Sequence, residues 1–399
     1  MNMLRIKFTI ILPAAIIVLM SIASCHSDGR KSSIEHPDLQ FFLHTDKSEI
    51  QDIHYRHLIS KDNSSKGKNK TENDDSVTIE IEGSLVDIAI SEHGLIILDS
   101  SMSKLYLYSL DGKLLDVAGQ WGMGPGDFNM PVALEMAGDL IYVIDVMKIE
   151  VFRIDQNQQL MNVETITNNI HQPVDICILN DDEVLISGFS LRMERQLIET
   201  VELRDQIVSL PLHKMVLKSN LSVSFGELYF AKSKWPTFTT FFSSSYILCD
   251  TIRGVILTSN QRFPIYFMYS FNGDGIAKFI MPEVNSLLYD EFLDPQPSID
   301  VSASIQFYQQ IYKPLIRPNG NYLFQFGYVS LTGDMTELPF SDFNDITRVE
   351  FNPDNNKVVD SEKSKYVILY ESDEIKITSD YAALSRFDGM GIYRLLIKK

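Results

Sequence analysis

The chain is poor in the residue patterns from which catalytic sites are usually recognised. Its 399 residues contain three cysteines, two tryptophans and eight scattered histidines. There is no Walker-type phosphate loop, no Gly-x-Ser-x-Gly elbow and no His-Glu-x-x-His helix. His54 and His57 are three residues apart, and in a strand this spacing places them on opposite faces. We therefore predict no catalytic residue, no metal ligand set and no cofactor. A Ca²⁺ site is considered only for the carboxylates described below.

Basic residues are also scarce. Lysine and arginine together number 35 against 53 aspartates and glutamates, which gives a formal net charge of -18. Such an acidic protein repels phosphate backbones, so nucleic acid is excluded as a partner. It is equally unsuited to bind anionic lipid through surface charge. Hydrophobic residues make up 45% of the chain and charged residues 22%, which is typical of a folded globular domain.

Long apolar runs are missing after the first 25 residues. The run from Ile10 to Met20 follows the basic residues Arg5 and Lys7, and it is shorter than the ~20 residues that a membrane-spanning helix needs. The stretch that follows, Ile22-Ala23-Ser24-Cys25, resembles the lipobox of bacterial lipoproteins. The resemblance implies cleavage before Cys25, a lipid on its thiol and a membrane contact through that lipid. An ordinary cleaved signal followed by an unrelated cysteine is the alternative.

Short β-rich runs separated by turn residues begin after Ser76. The first four are Leu85–Ile90, Leu95–Asp99, Leu105–Leu110 and Leu114–Val117, and the turn Asp111-Gly112 between the last two is typical of a hairpin. Four short antiparallel strands joined by tight turns form one blade of a β-propeller.

The same pattern then recurs along the chain. Asp99 and Asp145, which end corresponding strands, are 46 residues apart, and their recurrence indicates carboxylates that accept backbone N–H groups. A third copy begins at Pro173. The turn at Tyr108–Gly112 is echoed at Tyr269–Gly273 and more loosely at Tyr328–Gly333. A period of this length with four strands per unit predicts a propeller.

The fold class predicted is therefore all-β, a β-propeller of four-stranded antiparallel sheets, with six blades preferred and seven as the alternative. We expect residues 1–24 to be a signal peptide, 25–76 a lipidated cysteine with a mostly flexible tether, and 77–399 the propeller. The tract from Lys61 to Ser76 has almost no apolar residue and cannot offset its ordering entropy. A strand within Ile50–Ile59 could pair with the last blade and close the ring.

The segment Gly119-Gln120-Trp121-Gly122-Met123-Gly124-Pro125-Gly126-Asp127-Phe128-Asn129-Met130-Pro131 resembles the repeat of NHL-type propellers. More narrowly, it is similar to the six-bladed propeller lipoproteins of Bacteroidetes. The resemblance covers residues 85–190, and the Gly-Pro-Gly turn is not repeated later. It implies a propeller and a cell-envelope location, with the outer membrane expected, and it carries over no catalytic residue. The three glycines of this segment lead into a strand rather than a helix, which favours a turn between blades over a dinucleotide site.

Carboxylates are the first candidates for a ligand site. Asp87 and Asp175 occupy similar places in the expected innermost strands of blades 1 and 3, and Glu135 is offset within its own strand. At a channel mouth such side chains could hold Ca²⁺ or contact a cationic or sugar ligand. No salt partner is evident near them in the sequence, so we expect their charge to be available and their replacement by Asn to be tolerated. The alternative is that they cap turns or lie on a solvated rim.

Trp235 is the second candidate. It opens an aromatic stretch that ends at Phe242 and either forms a binding platform or fills the core between blades. Cys177 and Cys249 both lie in strand-like runs, where a cysteine usually acts as a small buried hydrophobe, and a disulfide between them is the alternative.

Together these features favour a binding or scaffolding lipoprotein whose propeller takes a protein, peptide or glycan ligand. The alternative is a propeller enzyme, such as a lactonase, lyase or glycan-active hydrolase with an axial metal. Fold alone does not decide between them.

Overall fold

A computed structural model describes residues 51–54, 76–170, 172–189, 210–219, 221–226, 244–261, 265–280, 307–330, 346–355, 357–364, 366–380 and 391–398. All regular elements within these residues are β-strands. No helix in this part of the chain is long and apolar enough to cross a membrane. Cys25, Trp235 and residues 61–75 of the expected tether lie outside the described residues.

Two strands, β1 (Gln51–His54) and β2 (Val77–Gly83), precede the first blade. Blade 1 contains β3 (Leu85–Ser91), β4 (Gly94–Asp99), β5 (Lys104–Tyr108) and β6 (Leu114–Ala118). Blade 2 contains β7 (Ala133–Ala137), β8 (Leu140–Ile144), β9 (Lys148–Ile154) and β10 (Leu160–Thr167). Blade 3 contains β11 (Gln172–Asn180), β12 (Glu183–Phe189), β13 (Leu212–Val216) and β14 (Leu221–Phe225).

Blade 4 contains β15 (Ser245–Asp250), β16 (Val255–Asn260), β17 (Ile265–Ser270) and β18 (Gly275–Ile280). In blade 5, β19 (Phe307–Ile311) and β20 (Leu315–Ile316) both pair with β21 (Tyr322–Ser330), which β22 (Ile346–Asn352) and β23 (Lys357–Ser364) follow. Blade 6 contains β24 (Tyr366–Glu371), β25 (Lys376–Asp380), β26 (Gly391–Lys398) and, as its outermost strand, β2. The prediction of six four-stranded antiparallel blades is confirmed.

The ring closes through β2, which runs antiparallel to β26 from Val77 opposite Ile397 to Gly83 opposite Gly391. Ile79 and Ile81 are buried in this pairing. The suggestion that Ile50–Ile59 closes the ring is wrong, because the strand found there, β1, lies parallel to β18 in blade 4. The apolar alternation of β2 suits the last blade, which would otherwise lack a fourth strand.

The turn between the third and fourth strands recurs from blade to blade. In blades 1 and 4 the residue that starts the turn, Ser109 or Ser270, accepts a hydrogen bond from the N–H of Gly112 or Gly273 at 2.9 Å. Both glycines have a positive φ, +85° and +92°, which only glycine adopts readily. The echo at Tyr269–Gly273 is therefore confirmed. The looser echo at Tyr328 is wrong, because Tyr328 lies in the second strand of blade 5, opposite Gln309.

Apolar side chains fill the spaces between neighbouring blades. Between blades 1 and 2, Phe128 is inserted from the loop at residues 119–131 and is fully buried against Phe152, with ring centroids 5.8 Å apart. This loop connects two strands, so the interpretation of its glycines as a turn between blades is confirmed. Between blades 3 and 4, a disulfide joins Cys177 of β11 to Cys249 of β15, with Cα atoms 6.0 Å apart. The two cysteines thus form the bridge that the sequence left as the alternative.

Candidate functional site

The first strands of neighbouring blades contact one another and surround the axis, as β3 does with β7 and β7 with β11. Four charged side chains meet there. Lys313, which lies between β19 and β20, places its Nζ 2.9 Å from Asp175 Oδ1, 3.5 Å from Glu135 Oε2 and 3.7 Å from Asp87 Oδ2. We call Asp87, Glu135, Asp175 and Lys313 the axial cluster. It joins blade 5 to blades 1, 2 and 3 across the axis.

Asp87 and Asp175 are held in the same way in their two blades. The pairing of each innermost strand with its neighbour is irregular at the aspartate, which marks a β-bulge that re-aims the side chain. Each carboxylate accepts the N–H of the next residue at 2.9 Å. Each also accepts an N–H from the following blade, Leu134 at 3.2 Å for Asp87 and Ile247 at 2.8 Å for Asp175. The two positions are thus equivalent because each carboxylate hydrogen-bonds its own blade to the next one.

Sequence reasoning missed Lys313. Its hydrogen bond to Asp175 spans 138 residues, so no local pattern links the two. The signal that was present is a lysine followed by Pro314 inside an apolar run, which is typical of an interruption in a strand. In the structure that interruption separates β19 from β20 and turns the lysine toward the axis.

The cluster is partly closed to solvent. The side chain of Asp175 is 1% exposed, whereas those of Lys313 and Glu135 are 22% and 34% exposed toward the axis. Burial raises the pKa of Glu135 to about 7, with Asp175 and Asp87 raising it further against the opposing effect of Lys313. Burial likewise raises the pKa of Asp175 to about 6. The pKa of Lys313 is raised well above its ordinary value because the three carboxylates outweigh its burial.

The structure therefore brings Asp87 and Asp175 together, as the sequence suggested, but with a shared cation. The expectation that they lack a salt partner is wrong, since Lys313 contacts both. Because Asp175 is buried and both of its oxygens accept hydrogen bonds, its replacement by Asn is no longer expected to be neutral. In the described part of the chain no group of His, Cys, Asp and Glu is arranged to hold a metal ion. The ammonium group of Lys313 occupies the position among the carboxylates that an axial cation would take.

A second feature lies on one face of the ring. Strands in a blade alternate in direction, so the loops between blades and the turns between second and third strands share a face, which we call the Trp121 face. The turns between first and second and between third and fourth strands, including Gly112, form the opposite Gly112 face. On the Trp121 face the loop at residues 119–131 spans blades 1 and 2.

Buried polar side chains fix this loop. Asp145 accepts hydrogen bonds from the N–H groups of Asn129 at 2.6 Å and Met130 at 2.7 Å. Lys148 Nζ donates to the carbonyl oxygens of Gly124 at 2.6 Å and Asp127 at 2.8 Å and pairs with the fully buried Glu150. Asp99 similarly accepts from the N–H groups of Ser84 and Met102, both at 3.1 Å. The prediction that Asp99 and Asp145 satisfy backbone N–H groups is confirmed.

The fixed loop presents apolar side chains to solvent. Trp121 is 77% exposed and Met123 58% exposed, and beside the loop a shallow cleft of about 320 Å³ is lined partly by Gln120, Asp127 and Asn162. Sequence reasoning placed an aromatic platform at Trp235, outside the described residues, and interpreted the Trp121 segment only as a turn.

Comparison with known proteins finds similar structures but no family to which the chain can be assigned. No protein-family model matches the chain, and no curated protein matches it. Among solved structures, a member of the DUF4221 family from Bacteroides vulgatus is similar, at 9% identity and a TM-score of 0.47, over 81% of this chain and 96% of that one. A candidate exported protein from Bacteroides fragilis is similar at 13% identity and a TM-score of 0.41, over 81% and 96%. At these levels of similarity neither structure informs the function of this chain.

Proposed function

We propose that this protein is a cell-envelope lipoprotein, anchored through lipid on Cys25, whose propeller binds a protein, peptide or glycan ligand without catalysing a reaction. The anchor is supported by the apolar run that ends five residues before Cys25 and by the small residues that precede this cysteine. We place it in the outer membrane on the resemblance of the chain to Bacteroidetes propeller lipoproteins.

The observation that carries the binding role is the occupancy of the axis by Lys313. An enzyme with an axial metal needs carboxylates whose charge is free to coordinate the ion. Here the ammonium group of Lys313 already lies within 2.9–3.7 Å of the three carboxylates, so a metal would have to displace a protein side chain. The accessible side chains that could recognise a ligand lie instead on the Trp121 face of the ring.

The anchor is tested by metabolic labelling with a fatty acid that carries a detectable group. The wild-type chain should incorporate the label and fractionate with membranes, and Cys25→Ala should do neither. A Cys25→Ala chain that still carries the label would refute the assignment. Ser27→Ala is the matched control, because it changes a residue two positions after Cys25, keeps all three cysteines and should leave labelling unchanged.

An enzyme that acts at the axis is the second candidate. It is favoured by the carboxyl of Glu135, whose pKa of about 7 suits a group that exchanges protons at neutral pH. Metal analysis of the purified protein discriminates the two. One equivalent of Ca²⁺ or Zn²⁺ that disappears in an Asp87→Asn, Asp175→Asn double variant, shown by circular dichroism to be folded, would favour the enzyme. Absence of a stoichiometric metal from wild-type protein that folds and is lipidated would favour the binding role. The same double variant tests whether Asp87 and Asp175 contribute to ligand binding.

A further inference from the structure

The shallow cleft beside the loop at 119–131 lies between the outer strands of blades 1 and 2, β6 and β10. Its volume is about 320 Å³, and its walls combine apolar surface with three polar side chains. The lining includes Gln120, Pro125, Asp127, Phe152, Leu160 and Asn162. Ligand sites in proteins have this composition, in which apolar walls surround a few polar groups that fix the orientation of the ligand.

We infer that this cleft binds a neutral sugar unit of a glycan. The inference rests on the proposed binding role, for which it names a site and a class of ligand. Neither the axial cluster nor the exposed side chain of Trp121 takes part.

A buried carboxylate holds the two walls of the cleft together. Glu150 is fully buried and accepts hydrogen bonds from the N–H of Gly126 at 3.0 Å and from Nδ2 of Asn162 at 2.8 Å. Gly126 belongs to the loop and Asn162 to β10, so one side chain fixes the spacing of both walls. A ligand would therefore meet a preformed cleft, and the cost of ordering it on binding would be small.

The contact with Glu150 also determines which atom Asn162 presents. A carboxylate only accepts hydrogen bonds, so the amide nitrogen of Asn162 must point toward Glu150. The same nitrogen lies 3.3 Å from the carbonyl oxygen of Glu164 and 3.4 Å from that of Val151. Among the described residues nothing donates to the remaining atom, Oδ1. Asn162 therefore offers the cleft a hydrogen-bond acceptor.

Asp127 offers further acceptors. Its Oδ2 lies against Gly122 and Gly124, where an added Cβ would come within 2.6 Å and 2.9 Å of it, so these two glycines make room for the carboxylate. The backbone is fixed as well, since the N–H of Asp127 donates to Gly124 and its carbonyl oxygen accepts from Lys148 Nζ at 2.8 Å. No donor in the part of the chain that the structure describes reaches the carboxylate. Hydroxyl groups of a ligand would supply the missing donors.

Charge and hydrogen-bonding capacity together favour an uncharged ligand. Lys148 and Glu150 pair at 2.5 Å behind the cleft, which leaves Asp127 as the single charge in its lining. This carboxylate repels an anion, and one partly exposed charge attracts a cation only weakly. An ammonium group, moreover, only donates, whereas a hydroxyl group also accepts from the amide nitrogen of Gln120. A sugar unit has several hydroxyl groups and an apolar C–H surface, which match polar side chains set between apolar walls.

Ligand-observed NMR on the full processed chain in detergent tests the inference. The probes are the methyl glycosides of glucose, galactose, mannose, xylose and N-acetylglucosamine, with butylamine as a cationic probe. At least one glycoside should bind, and its Kd should rise at least about tenfold in Asp127→Ala, as expected when hydrogen bonds to a charged group are lost. The melting temperature of this variant should equal that of the wild type, because the carboxylate bonds to no described residue.

The matched control is Asp139→Ala, which removes an exposed carboxylate from a turn of blade 2 on the Gly112 face. This variant should bind the glycoside like the wild type. Equal losses in both variants, or no glycoside bound to the wild type, would overturn the site. Binding of butylamine that depends on Asp127, without binding of any glycoside, would overturn the class of ligand. Fatty-acid labelling and metal analysis of the same preparations show separately whether the lipoprotein and the binding role stand.

Discussion

At the scale of single residues, Lys313 decides how the axial cluster behaves. Three carboxylates from three blades lie within 3.7 Å of its ammonium group, and one of them, Asp175, is almost completely buried. Three like charges so close together repel one another, and burial adds to the cost. The lysine offsets that cost, and the raised pKa of Glu135 and Asp175 shows that it does so incompletely.

Replacing Lys313 with methionine keeps the length of the side chain and removes its charge. We expect Lys313→Met to lower the free energy of unfolding at pH 7.5 by about 3 kcal/mol, as for a buried ion pair that loses one partner. The loss should shrink at pH 5, because the carboxyl groups can then take up protons. Urea denaturation at both pH values measures it. Lys113→Met, in an exposed turn, should cost within about 0.5 kcal/mol, and similar losses in the two variants would contradict the role of Lys313.

Glu135 makes the stability of the fold depend on pH. Its pKa is raised from 4.5 in the unfolded chain to about 7 in the folded one, so folding binds a proton more tightly. The stability that this group contributes is complete below pH 4.5 and is lost as the pH rises through 7. Glu135→Gln cannot titrate, so its stability relative to the wild type should increase steadily from pH 5 to pH 8.

Chemical denaturation of the two proteins at four pH values between 5 and 8 checks this trend. Glu164→Gln, on the exposed side of β10, is the control and should stay within about 0.5 kcal/mol of the wild type throughout. A Glu135→Gln variant that loses stability relative to the wild type toward pH 8 would show that Glu135 is favoured in its charged form.

At the scale of elements, the loop at 119–131 depends on Asp145. This carboxylate, 1% exposed, accepts N–H groups from Asn129, Met130 and Val146 at 2.6–2.7 Å. Asp145→Ala leaves these donors without an acceptor and should lower the free energy of unfolding by about 3 kcal/mol. It should also increase the mobility of Trp121, measured by fluorescence anisotropy in a Trp235→Phe background. Asp155→Ala removes a carboxylate from an exposed turn and should lower the free energy of unfolding much less than Asp145→Ala does. If Asp155→Ala lowers the free energy of unfolding as much as Asp145→Ala does, the burial of Asp145 is not the cause of the loss.

Blades 1 and 2 could be predicted nearly strand by strand, because their turns are short and have distinctive residues. Asp111-Gly112 marks a tight hairpin, and Asp99 and Asp145 recur at equivalent positions. Later blades have longer connections, so local patterns gave only the number of blades and misplaced the echo at Tyr328.

Only half of the axial cluster could be predicted from the sequence. The positions of Asp87 and Asp175 follow from the repeat, but Lys313 and the disulfide depend on contacts across 138 and 72 residues. No periodicity within a blade encodes such contacts. The exposure of Trp121 and Met123 was missed because glycines explain a turn without indicating which side chains the turn exposes.

At the scale of the whole molecule, β2 is the strand on which closure depends. Without it blade 6 keeps three strands, and the buried side chains of Ile377, Leu395 and Ile397 lose their cover from Ile79 and Ile81. A chain that starts at Ser76 should unfold cooperatively near the temperature of the full chain. A chain that starts at Leu85 should melt without cooperativity or aggregate. Circular dichroism and size-exclusion chromatography distinguish them, and equal melting temperatures would show that closure does not need β2. Brief proteolysis of the full chain should likewise leave a core that starts near Val77.

Contacts between neighbouring blades alone would let a ring close at more than one circumference. Lys313 adds a condition of another kind, because one side chain from blade 5 must reach oxygens on blades 1, 2 and 3 at once. A ring of seven blades is wider across its axis and would move some of those oxygens beyond the reach of a single lysine. The contacts that Lys313 makes across the axis therefore depend on the diameter of the ring. These axial contacts fit the six-bladed ring, although the early repeat of 46 residues from Asp99 to Asp145 would by its length also suit seven blades.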